Sequence, residues 1–97
     1  MQTDLEFRRE VHRNLGETYY EAQRYGEAAA AFQTVLAILD TRDPYRDYAL
    51  LSLGHCYLAI GASAASRDSY EGVLSSPTAS SAQQRAARDG LLRLERG

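Results

Sequence analysis

Three observations in the sequence predict an all-α fold of two helical hairpins and one closing helix. No stretch alternates apolar and polar residues at the period of a half-buried strand. The two prolines, Pro44 and Pro77, cut the 97 residues into three segments, each long enough for at least one helix. The chain also repeats itself at an offset of 38 residues: Leu15-Gly16 returns as Leu53-Gly54, Tyr19 as Tyr57, Phe32 as Tyr70, and Val35-Leu36 as Val73-Leu74.

Each element has a local reason. The first helix is expected over about 3–22, with Thr3 or Asp4 as N-cap and Glu6 three residues after Thr3 to complete a capping box. A break at Gln23 to Gly26 leads into an alanine-rich second helix over about 26–39. After Pro44 the pattern returns as a helix over about 45–60, a break at Gly61, and a helix over about 63–75 that stops before Pro77. That fourth helix holds several serines and Gly72, each a poorer helix former than alanine by up to about 1 kcal/mol, so it depends on tertiary packing. The closing helix, about 80–96, is expected to gather Ala82, Ala86, Ala87, Gly90, Leu91 and Leu94 on one stripe and leaves Leu92 on the polar side with Arg85 and Asp89. The small Gly16 and Gly54 let the two helices of each hairpin approach closely, and the aromatic three residues later and the aromatic of the second helix are expected to fill the space between hairpins.

Composition narrows the chemistry. With 44% hydrophobic and 25% charged residues the chain reads as one soluble globular domain. A net charge of −2, from 11 basic and 13 acidic side chains, favours neither nucleic acid nor an anionic membrane surface as partner. Every basic residue is arginine, so Schiff-base and P-loop lysine chemistry is excluded. His55 and Cys56 are adjacent and point about 100° apart on a helix, which does not make a nucleophile and base couple. His12 lies on another helix, on the face with Leu15 and Tyr19, and reads as a packing residue. Two histidines and one cysteine at scattered positions match no metal-ligand spacing, so neither metal nor cofactor is expected. The lone Cys56 and the acidic amino terminus point to the cytoplasm, or to the periplasm or envelope if an export signal has been removed.

Asn14-Leu15-Gly16-Glu17-Thr18-Tyr19-Tyr20, followed by Tyr25-Gly26-Glu27-Ala28 and Phe32, resembles a tetratricopeptide repeat. Leu53-Gly54-His55-Cys56-Tyr57, with Gly61, Tyr70 and Pro77, resembles a second. The tail resembles the first helix of a third, because Gly90 and Gly97 keep the spacing of Gly54 and Gly61. The resemblance implies a single domain over 1–97, a right-handed α-solenoid with one repeat at about 9–42, a second at about 47–80 and a capping helix at about 80–96. The family unit is about 34 residues, which places roughly four extra residues around Asp40 to Asp47. His12 and Leu50 stand where the family often has a bulky aromatic, and Ser66 where it has alanine.

The resemblance further implies a non-catalytic protein-interaction module, an adaptor or small chaperone, whose concave groove grips a peptide or helix of another protein. Its lining would be Glu10, Arg13, Asn14, Glu17, Tyr20 and Glu21 from the first repeat and Tyr48, Leu51, Ser52, His55 and Leu58 from the second. Glutamates on one side and apolar residues on the other suit a ligand with basic residues beside an apolar or aromatic anchor. The clamp for acidic chaperone tails is not expected, since it uses asparagines where Glu17 and Ser52 stand. The rival reading is a structural subunit that stacks on itself or on another repeat protein through its helical ends, with Leu92 as an end-stacking residue. Two and a half repeats fall short of the three usually needed to bury both faces of the stack. A third reading makes the chain one piece of a longer array.

Overall fold

The computed structural model describes residues 3–40 and 42–96. Its elements are α1 (Asp4–Glu21), α2 (Tyr25–Ile38), α3 (Tyr45–Ala59), α4 (Ser63–Ser75) and α5 (Ser81–Arg96), each within about a residue of the expected bounds, with no strand among the described residues. Thr3 opens α1 as the capping box requires. Its hydroxyl accepts from the Glu6 amide at 3.1 Å and the Glu6 carboxylate accepts from the Thr3 amide at 3.5 Å. A second reciprocal cap, not anticipated from the sequence, opens α5: the Ser80 hydroxyl accepts from the Gln83 backbone amide at 3.1 Å and the Gln83 side-chain Oε1 accepts from the Ser80 backbone amide at 2.9 Å. Both hairpin turns pass through the left-handed region at equivalent positions, Gln23 (φ 63°) and Gly61 (φ 79°). Gly26, which the sequence places at the first break, lies inside α2.

The hairpins close on a ring set against a glycine. A methyl at Gly16 would lie 2.8 Å from the Phe32 ring, and one at Gly54 would lie 2.5 Å from the Tyr70 ring. Gly90 of α5 meets the other side of Tyr70. Both rings are buried. Phe32 joins Ala28, Ala29, Leu53 and Cys56 in one core cluster, and Tyr70 joins Val73 and Ala87 in the other. Ser66 departs from the usual alanine for a local reason: fully buried, it donates to the Gly54 carbonyl at 2.9 Å, tying α4 to α3. Asp47, also buried, accepts from the Thr78 hydroxyl at 2.5 Å, fastening the α4–α5 connection to the first turn of α3.

The packing corrects the tail's register. Ala49 and Ala87 are both fully buried, and Leu91 and Leu94 pack on α4 as Leu53 and Cys56 pack on α2. The offset of 38 therefore continues, so that Gly90 is level with Ser52 and Leu92 is level with Gly54, in place of the match of Gly90 to Gly54. The consequence is mechanical. Glycine at position 90 lets α5 settle onto α3 across Tyr70, whereas α1 and α3 stay apart and meet through long side chains. Leu15, expected to pack like Leu53, is 40% exposed, because among the described residues no helix lies across that face of α1.

Gly54→Ala is expected to destabilise the chain by about 1–3 kcal/mol, since the ring it would strike is buried and cannot move freely. Gly26→Ala, with nothing within 4 Å of the added methyl, should stabilise by about 0.5–1 kcal/mol. Urea unfolding of both variants checks the contrast.

Candidate functional site

The gap between α1 and α3 is a cleft of about 300 Å³. Turn spacing aims Glu17, Tyr20 and Glu21 of α1 into it from one side and Tyr48, Ser52 and His55 of α3 from the other, while Phe32 of α2 lies between them. Tyr48 spans the gap. Its hydroxyl donates to Glu17 Oε1 at 2.7 Å, and its ring meets Phe32 edge-on at 6.0 Å between centroids. Towards the start of α3, Arg9 pairs with Asp43 at 3.3 Å and lies over the Tyr45 ring at 5.8 Å, tying α1 to the start of α3. Tyr20 leans edge-on against Tyr25 at 5.3 Å.

A second cleft of about 210 Å³ continues from the first, sharing Tyr20 and His55 and adding Tyr25, Leu58, Ala59 and Arg93. The concave face thus runs from the carboxylates of Glu17 and Glu21 at one end to the guanidinium of Arg93 at the other. Burial sets the ionisation between them. It pushes Tyr48 up to about 12, with the bond to Glu17 adding to the shift. It raises Tyr20 as well, and pushes Tyr70 up to about 12. Burial first, and the Arg93 charge second, hold His55 below its usual 6.5. A neutral ring accepts from a hydroxyl, and His55 Nδ1 stands 2.7 Å from the Tyr70 hydroxyl. Cys56 is buried behind this face and its thiol is pushed up to about 11 by burial.

Of the residues expected to line the groove, Glu17, Tyr20, Glu21, Tyr48, Ser52 and His55 surround the first cleft and Leu58 joins the second. Four do not line either cleft. Leu51 packs against the Tyr70 and Val73 cluster, because the close approach of α5 covers it. Glu10 and Asn14 are exposed on α1. Arg13 is half-buried, close enough to Tyr45 and Tyr48 to act on both, and its Nε has no hydrogen-bond partner among the described residues. Leu92 is 48% exposed on α5. Phe32, Tyr25 and Arg93 line the clefts without having been anticipated. The signal for Arg93 was present in the sequence: 38 residues after His55, it is the third member of the series Glu17, His55, Arg93.

Among the described residues no group of three His, Cys, Asp or Glu side chains could hold a metal ion, and no helix is long and apolar enough to cross a membrane. The family model described as tetratricopeptide repeat matches residues 9–41. The chain carries a tetratricopeptide repeat. No curated protein and no solved structure matches it. Tetratricopeptide repeats generally mediate protein–protein interaction and are generally non-catalytic modules. The matched residues span most of α1 and all of α2, and α3, α4 and α5 extend the same arrangement beyond them.

His55 gives a pH test. Because its folded pKa lies below the unfolded value, the unfolded chain takes up the proton first, so stability holds above the usual 6.5 and falls as pH drops through and below it. The melting temperature should therefore decline between about pH 7.5 and 5.5, and His55→Gln should flatten that slope relative to the native chain.

Proposed function

We propose that this chain is an adaptor, usable as a small chaperone, that holds a segment of another protein in the cleft between α1 and α3. The observation that carries the reading is charge left open at an aromatic wall. Glu17 and Glu21 border a cleft walled by Tyr20, Phe32 and Tyr48, and neither glutamate has a basic side chain within ion-pair distance among the described residues. A segment with an arginine or lysine beside an apolar or aromatic anchor would satisfy both, the cation at the carboxylates and the anchor against the rings. Arg93 opposes a second cation at the far end, which gives the segment a direction.

The test is capture from lysate by the native chain and by a Glu17→Arg, Glu21→Arg variant, with circular dichroism to show that both fold. The captured protein's binding segment, made as a peptide, should bind the native chain and lose at least about tenfold in affinity to the variant. Equal capture by both chains would remove the cleft from the proposal.

A further inference from the structure

The second cleft offers hydrogen-bond donors and one unanswered charge. Its lining of Tyr20, Tyr25, His55, Leu58, Ala59 and Arg93 contains no carboxylate. Arg93 has no acid within ion-pair distance among the described residues, Asp89 one turn before it included. Its charge acts on Tyr20, His55 and Tyr70, so the guanidinium stands near rings from α1, α3 and α4 together. The bond between Tyr70 and His55 sets what the imidazole can do. Burial keeps the ring uncharged near neutral pH, and a neutral ring whose Nδ1 accepts from the Tyr70 hydroxyl carries its proton on Nε2. His55 therefore brings a donor to this face, as does the uncharged Tyr20 hydroxyl. We propose that the second cleft binds a carboxylate of the segment held in the first, with Arg93 as its counter-charge and Tyr20 and His55 as neutral donors.

The inference rests on the first cleft being the seat of that segment, and it adds the segment's other end. A guanidinium presents paired N–H groups to the two oxygens of a carboxylate, and the apolar surround of Tyr25, Leu58 and Ala59 lowers the competition from water. One positive charge faces the site, which balances a carboxylate and leaves the nearly double charge of a phosphate in excess. A segment basic throughout would suit Glu17 and Glu21 but would set a cation against Arg93. The two clefts share Tyr20 and His55, so the acid lies close beyond the apolar anchor. Neighbouring helices stand about 8–10 Å apart and an extended residue covers about 3.3 Å, which puts the acid roughly three residues from the anchor. The partner is a bipolar segment: a cation, an apolar or aromatic anchor, then a carboxylate.

Synthetic peptides supply the test. A series joins Arg-Phe to Glu through Gly-Ser spacers of about one to five residues, blocked at both ends and made in both chain orders, and each member has a twin with Gln in place of Glu. In calorimetric titration at least one glutamate peptide should bind the native chain about fivefold or more tighter than its twin. Arg93→Gln, exposed on α5 and checked for folding by circular dichroism, should erase that difference. A glutamine peptide whose free carboxyl terminus falls at the same spacing tells whether a side chain or a chain end supplies the carboxylate, and tighter binding of either form that depends on Arg93 supports the site. Equal binding of acid and amide forms at every spacing, or a difference that survives Arg93→Gln, overturns the inference. If the peptides bind and are lost by the Glu17→Arg, Glu21→Arg variant yet ignore the acid, only this inference falls. If the acid and Arg93 matter but that variant still binds, the reading of the first cleft falls and the carboxylate site stands. No binding by any peptide overturns both.

Discussion

An aromatic ring lying where a glycine has no side chain is the contact on which this fold depends. Phe32 on Gly16 and Tyr70 on Gly54 set the separation of helices within each hairpin, and every other spacing follows from them. Tyr70 touches a glycine on both sides, at Gly54 and Gly90, so α3 and α5 draw together. Phe32 has glycine on one side only, with Ser52 facing it in the place of Gly90. One residue's difference at an equivalent position thus accompanies a closed step at one end of the array and an open one at the other. The cleft is the room left by that asymmetry, which is why its wall is a core aromatic and not a surface side chain.

Electrostatics on the concave face are simplified by the same burial. Tyr20, Tyr48 and Tyr70 are all shifted upward and His55 downward, so each stays uncharged near neutral pH and serves as wall or hydrogen-bonding group. Charge is left to the two glutamates at one end and Arg93 at the other. A field fixed at the ends of an apolar trough selects the order of groups along a bound segment more than it adds raw affinity.

Much of this was readable from the residues alone, for identifiable reasons. Helix ends were marked by Thr3, Pro44, Gly61 and Pro77, whose effects are local and need no knowledge of the fold. The repeat marked Gly16 and Gly54 as points of close helix approach but placed Phe32 and Tyr70 between hairpins, whereas each ring lies on the glycine of its own hairpin. The failures came where a residue's surroundings are set by a distant element. Leu51 was expected in the groove and is covered by α5, whose closeness depends on Gly90. Arg93 was left out of the groove because the tail was aligned on a glycine pair two residues out of register. Gln23 could not be foreseen in a left-handed turn, since nothing in a glutamine announces one, although its equivalent Gly61 does.

The bond between Asp47 and Thr78 reaches further than its length suggests. In an array where each hairpin touches only its neighbours, a middle unit can in principle form while the end is still frayed. Here a carboxylate sealed in the first turn of α3 has its hydrogen-bonding partner on the strand of chain that leads into α5, and its other oxygen has none among the described residues. Fraying of the last helix would leave that buried oxygen unanswered, so the loss is felt in the middle of the molecule. The second hairpin and the closing helix are bound into one cooperative unit, and the chain cannot be shortened after Ser75 without unsettling the start of α3.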